Sequence, residues 1–171
     1  MRKVFFVVLI LKAGIVTAQS AEDKAFEHSK GTWKFPIDKI TGIDTVPDVI
    51  RFFSDPSFSI IIKTDTATNV YSLQPGIVRM VTMIGDVNAV IVSQGTYFLA
   101  YSNLENVAVK KGDTIAEGQV IGKLAMEEEG RYELEFGLSH GDKTDKKAQL
   151  WFCKDFRDLL KLKNIKAYRA R

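Results

Sequence analysis

Histidine and cysteine are almost missing from this chain: its 171 residues hold two histidines and one cysteine. A lone thiol, Cys153, closes no internal disulfide and builds no cysteine-ligated metal cluster. Beside Trp151 and Phe152 it reads as a small buried apolar side chain. The two histidines are His28, in a polar arm that reads as loose, and His140, just after the last predicted core strand. A histidine-based metal site made from that pair would need an unfamiliar geometry. Internal repeats and low-complexity segments are also missing. The formal charge of +3 vanishes once Arg2, Lys3 and Lys12 are set aside, so the rest carries no general basic field for nucleic acid.

Those three cations belong to a distinct N-terminal segment. Met1-Arg2-Lys3 is a short basic start, Val4 to Leu11 is apolar, and Val16-Thr17-Ala18 places small side chains before Gln19. Residues 1–18 therefore read as a secretory signal peptide cleaved near Ala18, with a periplasmic or extracellular product. The run is short for a bilayer span, and Lys12 interrupts it.

Past the signal, residues 19–56 form an N-terminal extension. Gln19 to Lys30 reads as loose, and residues 47–54 read as a short helix with Pro47 in its first turn. From residue 57 the pattern turns to short β-rich runs separated by turn residues. Ser59–Thr64, Ile77–Ile84, Ala89–Ser93, Tyr97–Tyr101, Asn106–Val109, Thr114–Ile115, Val120–Leu124 and Tyr132–Leu138 are the predicted strands, with a hairpin turn at Gln94-Gly95. This spacing favours an antiparallel β-sandwich or barrel. Residues 57–152 make up this domain. Residues 153–171 turn helical, with Phe156, Leu159, Leu160 and Leu162 near a 3.6-residue period. That tail carries seven basic side chains against Asp155 and Asp158, and it is the one segment offering contact with an anionic polymer or membrane surface.

Several segments in order carry a family resemblance. Val70-Tyr-Ser-Leu-Gln-Pro-Gly-Ile-Val is followed by Leu99-Ala-Tyr-Ser-Asn-Leu. Val109-Lys-Lys-Gly-Asp-Thr-Ile-Ala-Glu-Gly-Gln-Val-Ile-Gly and Glu133-Leu-Glu-Phe complete the series. Together they resemble the lysostaphin/LytM-type peptidoglycan metallopeptidase domain. The resemblance implies a mainly β, barrel-sandwich hybrid of the duplicated-hybrid-motif kind, with short N-terminal and C-terminal helices. It also implies a zinc site built from a His-x-x-x-Asp segment and the second His of a His-x-His segment. Two further histidines would assist catalysis. Counted back from Val70 without gaps, the first pair falls at Ser57 and Ile61. The other three positions fall at Asn103, Glu133 and Glu135, and none of the five holds the family residue.

A catalytic zinc needs about three protein ligands and an open position for water. Serine, isoleucine and asparagine do not replace that donor set, so the resemblance implies no catalytic residue, no metal and no cofactor. On a strand, Glu133 and Glu135 share a face while Tyr132, Leu134 and Phe136 face the core. The carboxylates read as a solvated face, as acceptors for an amine or guanidinium on a ligand, or as oxygen donors to a hard cation. Tyr97, Tyr101 and Tyr132 read as core or as groove lining. The candidate ligand-binding residues are Asn103, Glu133, Glu135 and Tyr101.

The expected function is an exported, catalytically inactive peptidase-like domain. It binds peptidoglycan, or a partner such as a cell-wall hydrolase or envelope protein. Two alternatives stay open: an active wall peptidase with an atypical site, and a structural envelope assembly module. A lipoyl-type carrier is unlike this chain, because Leu124-Ala-Met-Glu-Glu-Glu-Gly offers no modifiable lysine at a hairpin tip.

Overall fold

The structure, a computed structural model, describes residues 21–46, 59–127, 130–141, 143–145, 147–161 and 168–169. It is mainly antiparallel β with a short helix at each end. The strands are β1 (Lys39–Ile40), β2 (Gly42–Val46), β3 (Ser59–Thr64), β4 (Asn69–Tyr71), β5 (Gly76–Ile84) and β6 (Val87–Gln94). After them come β7 (Tyr97–Glu105), β8 (Thr114–Ile115), β9 (Val120–Leu124), β10 (Tyr132–His140), β11 (Lys143–Thr144) and β12 (Tyr168–Arg169). Helix α1 spans residues 21–28, and α2 is Lys154–Leu159.

Most strands join one open sheet in the order β2-β3-β10-β7-β6-β5-β8, with β9 linking β4 to β7. Alternation sets its two faces. Ile60, Ile62, Leu134, Phe136, Leu138, Leu99, Tyr101, Val90 and Val92 are buried on the inner face. Val70, Ile121 and Leu124 of the β4–β9 pair belong to the same core, as do Trp33, Trp151, Phe152 and Phe156. Phe152 stacks on Phe156 at 4.0 Å, which fixes α2 against the core. Cys153 precedes α2 and is half-buried against the core, as its neighbours suggest.

The arm at residues 19–30 is a correction. Residues 21–28 are helical and docked, not loose. Phe26 is fully buried and stacks on Tyr97 at 4.1 Å. The rest of the attachment is polar. Asp23 accepts from the Thr96 N–H at 2.7 Å and from its hydroxyl at 2.9 Å. Glu22 accepts from the Gly95 N–H at 3.1 Å, and Glu27 from the Tyr97 hydroxyl at 2.8 Å. Gly95 turns the β6–β7 hairpin with φ 58, and a Cβ there would strike the Asp23 carboxylate. The turn itself is Gly95-Thr96, one residue later than expected.

Asn106–Val109 is not a strand. Asn106 takes a left-handed φ of 47, which ends β7. The helix expected at 47–54 lies outside the described residues. Among the described residues, no helix is long and apolar enough to cross a membrane.

Candidate functional site

The outer face of β10 holds the two carboxylates. Leu134 and Phe136 point into the core at 0% exposure, so Glu133 and Glu135 project the other way, as their parity requires. The strand register then decides their neighbours. Glu135 lies opposite Ile61 of β3 on one side and Ser102 of β7 on the other. Glu133 lies opposite Lys63. Ile61, reached in the sequence only by a gap-free count, thus sits directly beside Glu135. Ser57 lies outside the described residues.

Lys63 dominates the electrostatics of this face. Its ammonium is 2.6 Å from the Asp44 carboxylate and 3.7 Å from Glu133. Gly42, opposite Lys63, carries no side chain, and the Lys63 stem packs over it. The hydrogen bond that Lys63 donates to Asp44 raises the Lys63 pKa above its ordinary value, with Glu133 adding to the effect. Lys63 therefore stays charged and balances Glu133. Glu135 has no ion pair or side-chain hydrogen bond among the described residues. The face thus offers one compensated carboxylate and one available carboxylate, half-buried next to the apolar Ile61. That arrangement suits an incoming ammonium or guanidinium.

Asn103 borders the same face through a bulge in β7. Tyr101 pairs with Val90 but Leu104 pairs with Asn88, so three steps on β7 span two on β6. Asn103 absorbs the extra residue with φ 63, a conformation asparagine tolerates better than most side chains. Its side-chain amide donates to Glu127 at 2.9 Å.

Tyr101, expected among the ligand-binding residues, does not reach this face. It is fully buried, and its hydroxyl oxygen accepts the Leu73 N–H at 2.9 Å. Its parity with buried Leu99 was the available signal for this. Tyr97 is likewise core, at 5% exposure, and Tyr132 is half-buried against the core. Sequence reasoning missed Lys63 and Asp44. The signal for Lys63 was its place two residues after Ile61 in β3, hence on the same face.

Neither histidine serves this face. His140 stacks on Tyr97 at 4.3 Å and contacts the Thr96 hydroxyl at 2.8 Å. It is five residues along β10 from Glu135, about 17 Å at strand rise. His28 lies on α1 and contacts the Lys24 carbonyl at 2.7 Å. Among the described residues, no three His, Cys, Asp or Glu side chains are grouped to hold a metal ion.

The donor set does not fit a catalytic zinc. Of the two described positions that the resemblance gives to zinc ligands, Ile61 has no lone pair to give, and Glu135 alone falls short of the three ligands a catalytic zinc takes. No step through a metal is derived from these residues.

Comparison with family models matches peptidase family M23 to residues 56–147. Solved structures share the fold at low identity. Csd3 from Helicobacter pylori aligns at 18% identity and TM-score 0.57, covering 78% of this chain and 40% of that one. Lysostaphin aligns at 18% identity and TM-score 0.52, covering 68% of this chain and 51% of that one. A chain of the SpoIIQ–SpoIIIAH pore-forming complex aligns at 16% identity and TM-score 0.54, covering 71% of this chain and 91% of that one. The chain thus spans about half or less of the first two and nearly all of the third. No curated protein matches the sequence.

Proposed function

This chain belongs to peptidase family M23, and we propose that it is an exported, catalytically inactive member whose former catalytic face binds a cationic peptide. The ligand is a peptidoglycan stem peptide bearing an amine, or a basic segment of an envelope protein such as a wall hydrolase. The observation that carries this reading is the replacement, within the described residues, of every position to which the resemblance assigns a zinc ligand or a catalytic histidine. Ile61, Asn103, Glu133 and Glu135 stand there, and Lys63 brings its own positive charge to Glu133. Metal-activated water is the family's route to peptide cleavage, and these side chains do not supply its donors. They do supply an available carboxylate beside an apolar wall.

Three measurements test this. Metal analysis of the purified protein should find no stoichiometric zinc, and wall suspensions should keep their turbidity. Purified sacculi, or an envelope partner captured by crosslinking in cells, should retain the wild type and lose Glu135→Lys. Stoichiometric zinc with wall lysis abolished by Glu133→Ala would establish the active alternative. Loss of both sacculus and partner retention would remove the binding reading.

A structural assembly role is the second reading. The likeness to a chain of a pore-forming complex, over 91% of that chain, favours an envelope protein as partner. Retention by an envelope protein and not by sacculi selects it.

A further inference from the structure

Strand β5 ends the large sheet almost bare. Among the described residues only β8 lies beyond it, and β8 pairs with Gly76 and Ile77 alone. Val78 still exchanges bonds with Gly112 and Asp113. From Arg79 to Ile84, β5 pairs only with β6 among the described residues. Five large apolar side chains are exposed among the described residues, and Ile77, Met80 and Met83 of β5 are three of them, at 38%, 46% and 68%. Natural edge strands are usually shielded by charge, proline or brevity. The stretch Met80-Val-Thr-Met-Ile84 has none of these.

We infer that this edge pairs with the same edge of a second copy, antiparallel about Thr82. Pairing with β6 sets the faces: Met80, Thr82 and Ile84 share the outer face with Ile91, Ala89 and Val87. Val81 and Met83 share the inner face with Val90 and Asn88. Opposed residues in an antiparallel pair lie on one face, so a two-fold axis normal to the sheet must pass through a residue. With the axis at Thr82, Met80 meets the partner copy's Ile84, and Val81 meets its Met83. Every exposed apolar side chain of the stretch then has an apolar partner on its own face. Thr82 meets itself, a favourable cross-strand pair. With the axis at Val81 instead, Arg79 would oppose Met83; at Met83, Met80 would oppose Asp86.

Charge agrees with the same register. It sets Arg79 opposite Gly85, next to Asp86 of the other copy. Arg79 uses its Nε on Ser93 at 2.6 Å, and neither Arg79 nor Asp86 has an ion-pair partner among the described residues. Two Arg79–Asp86 pairs would close the ends of the ribbon. A strip of five residues is small beside the roughly 1,200 Å² of a standard stable interface, so the association is reversible.

Sedimentation equilibrium on the purified protein, in the form the cell leaves it, tests this. The mass should rise from monomer toward dimer with concentration. The double substitution Met80→Lys/Met83→Lys should weaken association at least tenfold. Both side chains are exposed, so the thermal midpoint should stay unchanged. In a Cys153→Ser background, Thr82→Cys sits on the axis and should form a disulfide-linked dimer on mild oxidation. Val87→Cys, on the next strand, should not. A monomer at all concentrations, a dimer indifferent to the lysines, or equal crosslinking at both cysteine positions would overturn the inference.

Discussion

Strand β10 carries Leu134, Phe136 and Leu138 on its inner face and Glu133 and Glu135 on its outer face. The inner face obeys packing, where each residue is fixed by its neighbours' shapes. Phe136 contacts Trp33, Tyr101 and Phe152 in edge-on arrangements at 6.0, 5.4 and 5.7 Å. The outer face obeys electrostatics and solvent, and there one residue can replace another without disturbing the fold. A peptidase framework can therefore persist while its site residues change.

The largest break in that comparison comes from the inner face. Phe136→Ala should destabilise by about 3–5 kcal/mol through lost burial and the cavity left behind. Urea unfolding of the purified variant measures it. Tyr101→Phe should act less, by about 1–3 kcal/mol, because it strands the buried Leu73 N–H. Its signature is a pH dependence. Burial raises the Tyr101 hydroxyl above its ordinary value of 10.0. A raised folded-state value means the contribution is complete below pH 10.0 and is lost as pH climbs beyond it. Wild-type stability should fall at pH about 11 relative to about 8, and Tyr101→Phe should fall less. An identical fall in both would show that Tyr101 does not drive the alkaline loss.

These effects also explain what the sequence disclosed. Short β-rich runs between turn residues mark strands, so Ser59–Thr64, Thr114–Ile115 and Val120–Leu124 coincide with β3, β8 and β9, and period two then assigns the faces of the longer strands. The same period placed Glu133 and Glu135 outward correctly. Helix α1 gave no such signal, because it buries Phe26 and attaches otherwise through Glu22, Asp23 and Glu27. Acid-to-hairpin contacts across some seventy residues leave no local pattern. The left-handed bulge at Asn103 was equally silent, since register shifts arise between strands and not within one. Tyr101 misled for a different reason: an aromatic ring suits a groove and a core alike, and only parity separates them.

On the outer face the expected effects are smaller and more telling. Lys63→Met removes an ion pair whose partners are substantially exposed, so the stability change should stay below about 1 kcal/mol. It would leave Asp44 and Glu133 without their cation, on the same face as Glu135. Calorimetric titration with a lysine-rich peptide should show tighter binding to Lys63→Met than to the wild type, because the competing ammonium is gone. Equal binding by both proteins would mean that the ammonium does not govern cation access.

Glu135→Gln should move stability least of all. The substitution keeps shape and removes charge, and the native carboxylate has no ion partner among the described residues to lose. A change within about 0.5 kcal/mol is expected by urea unfolding. Retention on sacculi or on a basic envelope segment should nevertheless drop several-fold, because the ligand's cation loses its charged acceptor. Glu133→Gln makes the contrast sharper. Glu133 shares Lys63 with Asp44, so its loss leaves the face one charge more positive beside the binding carboxylate and should weaken retention by repulsion. If raising the salt concentration abolishes the difference between wild type and Glu135→Gln, a charge contact carries the recognition. If the two proteins bind alike at every salt concentration, the outer face of β10 holds no cation, and the peptide-binding role must be placed elsewhere on the molecule.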